Sequence, residues 1–150
     1  MKIFLRLVGA ATAVAFVSTS PAAAATPAGR YTVTAQTVYD TKSRLTWQRT
    51  ALTTGSTWDS AKTYCASSTV SAILGGAGRL PTIKELQTLV DYLANPPRID
   101  LVAFPGTPGE PFWSSSAKFG SSSEAWVVDF SQGPSKTDVT SDVNDVRCVR

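Results

Sequence analysis

From Tyr31 to Val38 the chain reads YTVTAQTV, with Tyr31, Val33 and Ala35 alternating against Thr32, Thr34 and Gln36. Period-two alternation in a segment rich in β-branched residues predicts a strand. Asp40, Thr41 and Lys42 supply turn chemistry, and Arg44 to Gln48 (RLTWQ) sets Leu45 and Trp47 on one side, so the two segments are expected to form an antiparallel hairpin. Thr53, Thr54, Gly55 and Ser56 break that pattern. The period then changes. Trp58, Ala61, Tyr64 and Cys65 fall at helical spacing behind Thr57 as N-cap, which predicts a short amphipathic helix burying Cys65. A loop follows at Gly75, Gly76, Ala77 and Gly78. Thr82 and Glu85 fit a capping box, in which each side chain takes a free backbone N–H of the other residue. Behind it Leu86, Leu89, Val90 and Leu93 repeat at helical spacing, so a second helix is predicted over Ile83 to Ala94.

Between Asn95 and Pro111 stand Pro96, Pro97, Pro105, Pro108 and Pro111 with Gly106 and Gly109, a density that disfavours helix and central strand. An ordered loop is expected there, of the kind that often carries function. Phe112 to Ser115, Ala125 to Phe130, Lys136 to Thr140 and Asp145 to Arg150 then read as short strands separated by Gly/Ser turns. The order is strand, helix, helix, long loop, strands. That order predicts an α+β domain, two short helices packed on mostly antiparallel short strands, rather than an alternating α/β fold.

Composition narrows the chemistry. The 150 residues are 43% hydrophobic and 17% charged, which suits one domain with a real core and excludes a disordered or cysteine-rich scaffold. There is no histidine. Its absence removes Ser-His-Asp hydrolysis and His-ligated zinc. Residues 1–25 carry Lys2 and Arg6, an apolar stretch from Leu7 to Val17 and a small-residue end, and read as a cleaved secretory signal peptide. Residues 26–150 would form the mature single domain, without a transmembrane segment, exported to the periplasm or secreted. Loss of Lys2 and Arg6 leaves 12 basic residues of 14 against 11 acidic, a net charge of +1 instead of +3. No Lys/Arg run remains to track phosphates, so nucleic acid is not an expected partner.

In an oxidising compartment Cys65 and Cys148 are most simply one disulfide. The rival is two separate thiols or a reactive one. Two ligands alone do not complete a zinc site.

Several blocks occur in order: Val38-Tyr39-Asp40 and Leu45-Thr46-Trp47, Trp58 through Ala61 to Tyr64-Cys65, Arg79-Leu80-Pro81-Thr82 with Glu85-Leu86, Phe104-Pro105, Trp113-Ser114-Ser115, Ala125-Trp126-Val127 with Phe130, and Val146-Arg147-Cys148-Val149-Arg150. In these the chain resembles the Lcl C-terminal domain family, also known as a domain of unknown function. Gly78 stands where that family usually has a tryptophan before Arg-Leu-Pro. The resemblance implies an exported bacterial protein and a fold similar to the C-type-lectin and formylglycine-generating-enzyme group. It also implies a glycan-binding or adhesion role for some members.

Four tryptophans, Trp47, Trp58, Trp113 and Trp126, offer faces for sugar stacking, with core packing as the plainer role of each. Trp113, directly after the proline loop, is the one expected at a ligand rim. A binding surface on the Asn95 to Phe112 loop would comprise Arg98, Asp100, Glu110, Trp113 and Lys118. Asp142, Asn144 and Asp145, with Asp138, gather oxygen ligands suited to calcium, though at no EF-hand spacing; solvated turn acids are the plainer role. Arg79, Glu85 and Asp91 read as architectural. No catalytic residue is singled out, and no cofactor is required beyond that candidate calcium. The expected function is a non-catalytic, adhesion-like binding module for a glycan or another surface or extracellular ligand. The alternatives are an enzyme of the formylglycine-generating type and a structural envelope protein that binds a protein partner.

Overall fold

The computed structural model describes residues 29–150. The leader expected over residues 1–25 lies outside them. Eight strands and three helices follow in the order β1 (Tyr31–Val33), β2 (Thr37–Asp40), β3 (Leu45–Gln48), β4 (Leu52–Ser56), α1 (Trp58–Cys65), α2 (Ser68–Leu74), α3 (Ile83–Gln87), β5 (Pro111–Ala117), β6 (Glu124–Asp129), β7 (Ser135–Val139) and β8 (Asn144–Val146). The fold is α+β with mostly antiparallel pairing, as the element order requires. β1-β2-β3 form a three-stranded sheet, and β4-β8-β5-β6-β7 a five-stranded one in which only β5 and β8 run parallel.

Several expectations are corrected. YTVTAQTV is two strands, because the Thr34 hydroxyl accepts the N–H groups of Gln36 and Thr37 and closes a turn inside the alternating segment. Thr53 to Ser56 belongs to β4, which pairs with β8 through an irregular register between Leu52 and Ser56. The described residues form three helices rather than two: α2 follows Ser67, whose hydroxyl accepts the Val70 N–H, and is capped by Gly75 in the left-handed conformation (φ 69°). The expected helix over Ile83 to Ala94 ends at Gln87. Beyond it the N–H groups of Thr88, Leu89 and Val90 bond carbonyls three residues back, a tightened last turn.

Other expectations hold. The β2–β3 hairpin pairs Asp40 with Leu45 and Val38 with Trp47. Helix α1 starts and ends as the apolar spacing predicts, with Ala61 and Cys65 buried. The capping box opens α3: Glu85 N–H reaches Thr82 Oγ1 at 3.3 Å and Thr82 N–H reaches Glu85 Oε2 at 2.8 Å.

Alternation along β5 and β6 makes the larger sheet the middle layer, since successive side chains face opposite ways. Phe112, Val128 and Phe130 pack against Val38 and Trp47 of the hairpin, Leu86 and Leu89 of the α3 region, and Ile99, Ala103 and Phe104 of the proline-rich loop. Trp113, Ala125, Val127 and Val146 pack on the other face against α1 and α2. Cys65 and Cys148 are bonded and fully buried in this second cluster, so the two-thiol alternative is set aside. Past β8 the chain stays extended, and Val149 bridges to both Trp47 and Arg79. A Cβ at Gly78 would stand 2.6 Å from the Cys65 carbonyl oxygen. Close approach of α1 therefore explains why glycine, not the family's usual tryptophan, occupies that position.

Candidate functional site

The residues expected to form one binding surface are dispersed. Trp113 is fully buried among α1, α2 and β6, and its Nε1 donates to the Ser56 carbonyl at 2.7 Å. Its expected place at a ligand rim is corrected: β5 lies in the middle layer with both faces covered, and residue parity points this ring at the α1 and α2 side. Arg98 donates to the carbonyls of Tyr92 (2.8 Å) and Ala94 (2.6 Å), and Asp100 accepts the N–H groups of Val102 and Ala103. Both side chains shape the loop from within. Lys118 Nζ meets both carboxylate oxygens of Glu124, at 2.9 and 2.7 Å. The side chain of Glu110 is exposed, and its backbone carbonyl accepts the Phe130 N–H just past one end of β6, whereas Lys118 sits at the other end, about 20 Å away at strand rise.

The oxygen ligands expected for calcium are divided in the same manner. Asn144 Nδ2 donates to Asp138 Oδ2 at 3.0 Å, and a hydrogen bond that protonated Asp142 donates to Asp138 raises the Asp142 pKa. Asp145, next along β8, faces elsewhere; burial raises its pKa, and the nearby charge of Glu110 adds to the effect. Among the described residues, no three His, Cys, Asp or Glu side chains converge as a metal group.

What the structure does assemble centres on Tyr92. Its hydroxyl donates to the Gly133 carbonyl at 3.2 Å. Gly133 has φ 96°, and a Cβ there would lie 2.7 Å from the Tyr92 ring, so glycine alone lets the ring rest on the backbone. The ring stays 65% exposed. On the same loop Leu93 and Val102 are 80% and 84% exposed, and Leu101 is exposed as well. The backbone beneath them is well tied: Asp91 Oδ1 accepts the Leu93 N–H, Asp91 N–H reaches the Arg98 carbonyl, and Arg98 N–H reaches the Phe130 carbonyl at 2.7 Å. Helical spacing predicts a buried face for Leu93, and the structure exposes it instead. The signal against it is Pro96-Pro97, which removes N–H donors and forces the preceding residues out of the helical region.

A second assembly is wholly internal. The Arg147 guanidinium is fully buried, donates to the carbonyls of Gln48 (2.7 Å) and Arg49 (2.6 Å) and to Thr107 Oγ1 (2.6 Å), and lies 4.7 Å from the Phe104 ring centroid. Burial pushes its pKa down, to about 9, which leaves it charged at neutral pH. Nothing in the local sequence marks it apart from other arginines. A cleft of about 140 Å³ opens nearby, lined by Ala35, Gln36, Gln48, Thr50 and Ile73, but Gln48 is already bonded to Tyr64 Oη and the Cys148 N–H.

The family model of the Lcl C-terminal domain matches residues 36–150, which takes in both core clusters and both cysteines. The chain belongs to the Lcl C-terminal domain family. No curated protein matches it. In this Lcl domain the matched blocks are chiefly architectural: Arg79-Leu80-Pro81-Thr82 forms the bridge to Val149 and the cap of α3, and Val146-Arg147-Cys148-Val149 supplies the bridge, the buried cation and the disulfide. The exposed Tyr92-Leu93 and Leu101-Val102 pairs lie between those blocks. Among the described residues, no helix is long and apolar enough to cross a membrane.

Proposed function

We propose that this Lcl domain is an exported, non-catalytic binding module of C-type-lectin-like architecture that recognises a glycan through its Asp91 to Val102 loop. The observation that carries the proposal is Tyr92: an aromatic ring fixed by its hydroxyl, backed by Gly133 and open to solvent. A flat, immobile face of this kind complements the C–H face of a pyranose, and little ordering entropy remains for the ligand to offset. The bonded, buried Cys65–Cys148 pair supports binding over oxidation chemistry of the formylglycine-generating type, which needs a reactive cysteine. Leu93, Leu101 and Val102 favour a second reading, a protein partner in the envelope, because exposed aliphatic side chains on the same loop as an exposed aromatic one suit a protein interface.

A glycan array including sulfated polysaccharides, run on the oxidised protein with calcium and with chelator, tests the proposal. Saturable binding lost in Tyr92→Ala and unchanged by salt is the expected result, since stacking is not screened. Binding retained in Tyr92→Ala, or no binding in any condition, overturns the glycan reading. In the second case a loss of protein partner on Leu93→Ser/Val102→Ser supports the other.

A further inference from the structure

In the five-stranded sheet β7 is an edge, hydrogen-bonded to β6 alone. Its bonding phase is fixed at both ends: Thr140 N–H reaches the Ser123 carbonyl, and Asp129 N–H reaches the Pro134 carbonyl. Antiparallel partners alternate between bonded and non-bonded pairs, so Lys136 and Asp138 turn their backbone groups toward β6, whereas Ser135, Thr137 and Val139 turn theirs away from it. Val139 is occupied by the turn that follows, its carbonyl accepting the Asp142 N–H and its own N–H meeting Asp138 Oδ1. For the outward N–H and carbonyl groups of Ser135 and Thr137 the described residues supply no partner. Such unpaired edge groups are where a further strand adds.

The side chains decide which strand fits. Ser135 and Thr137 share the α3 face of the sheet, where Ser135 Oγ accepts from Gln87 Nε2 at 2.8 Å, so Lys136 and Asp138 share the other face. Lys136 is half-exposed and meets Asp129 at 3.2 Å, while Asp138 is in no ion pair among the described residues. A lysine on an edge strand ordinarily keeps other strands away. Here a carboxylate two residues on makes the strand complementary to itself, and in one register only. When two copies meet antiparallel with Thr137 opposite Thr137, Lys136 of each copy stands across from Asp138 of the other, in the non-bonded pairs where side chains come closest. The neighbouring bonded registers set Lys136 against Lys136 or Asp138 against Asp138, and like charges directly opposite are destabilising. The complementary register is also the centred one. Thr137 is the middle residue of β7, so all 5 residues overlap. Its outward N–H and carbonyl exchange two bonds with their counterparts, and Ser135 N–H meets the second lone pair of the opposing Val139 carbonyl.

We infer that β7 is a self-pairing edge, through which two copies of this chain join antiparallel about a twofold axis at Thr137 into one continuous sheet. Bonding phase, strand centre and charge complementarity all select the same register, and that agreement is what points to a second copy as the occupant. The contact consumes the edge on both copies, so assembly closes at two. A contact this short makes a dimer in exchange with its monomer, and concentration is therefore the variable to follow. The inference uses none of the residues on which the glycan reading rests.

The test is sedimentation velocity of the oxidised protein over a dilution series up to about 0.5 mM, with amide exchange followed by NMR across the same series. A dimer is expected, and its formation is expected to slow exchange of the Ser135 and Thr137 amides. Lys136→Asp and Asp138→Lys each set like charges opposite one another at two symmetric places and should weaken the dimer about tenfold or more. Lys136→Asp/Asp138→Lys reverses both partners and should restore it to within about threefold. Thr137→Pro removes the central donor without touching the bonds to β6, and should leave a monomer. Melting curves show that each variant folds, and the charge reversal decides where the proline variant does not. A monomer at every concentration, an assembly larger than two, indifference of a folded Thr137→Pro, or a double variant as weak as the single ones overturns the proposal.

Discussion

Replacing Arg147 is the sharpest perturbation the structure offers. Its guanidinium holds the end of β3 and the Thr107 loop to the strand that carries Cys148, through three acceptors and with no carboxylate partner. Arg147→Met keeps the length and removes the charge. It leaves the Gln48 and Arg49 carbonyls without this donor, each costing about 1–3 kcal/mol when buried and unpaired, and part of that is recovered because a cation no longer has to be desolvated. The net is about 3 kcal/mol. Arg147→Ala adds a cavity beside Phe104 and Phe112 and should approach ~5 kcal/mol. Arg147→Lys retains the charge but not the planar fork, at about 2 kcal/mol. Against a total stability of about 5–15 kcal/mol, the alanine variant sits close to unfolding. Urea titration of the oxidised proteins, read by tryptophan fluorescence, measures the series, since Trp47 and Trp113, fully buried in one core cluster each, both lose their environment on unfolding. The order Ala, Met, Lys from most to least damaging is expected. A methionine variant as stable as wild type would show that the buried cation returns no more than it costs, and would refute the account of Arg147 as the clamp between hairpin and disulfide strand.

Two further outcomes are expected. Arg79 and the Thr82 N–H hold the Glu85 pKa at about 2, below its ordinary 4.5, so its contribution is complete above about pH 4.5 and lost as pH falls through 2. Glu85→Gln keeps the capping box but not the ion pair, and because that pair is partly solvated the cost at pH 7 is about 0.5–1 kcal/mol, closing to nothing as chemical denaturation is repeated down to pH 2. Cys65→Ala/Cys148→Ala opens a loop with a sequence separation of 83 and should cost about 4–5 kcal/mol in urea titration, unless the unfolded chain retains structure.

Much of the scaffold is legible in the sequence because its signals are local. The capping box needs only Thr82 and Glu85, the α1 stripe only a helical period, and β5 and β6 only alternation. The disulfide follows from a count of two. Where reading fails, one residue serves two conformations or the decisive partner is distant. Thr34 favours strand by its branching and turn by its hydroxyl, and the hydroxyl prevails. SSTVSAIL has too little contrast to show α2, although Val70 and Leu74 lie one turn apart on its buried face. Nearness to the proline loop suggests a rim for Trp113, but β5 is covered on both faces by partners distant in the chain. Tyr92 depends on Gly133, 41 residues away, and Arg147 on Gln48, 99 residues away, so neither leaves a mark in its own neighbourhood.

The last strand-like stretch has a consequence for how the molecule comes into being. Val149 exchanges hydrogen bonds with Arg79, Arg150 with Thr46, and Cys148 closes the bridge to α1. The two hydrophobic clusters thus acquire their shared edge only when Val146 to Arg150 docks. Contacts of such long sequence separation are closed against loop entropy and slow the search for the native fold, and the bond between Cys65 and Cys148 then holds what that docking has joined.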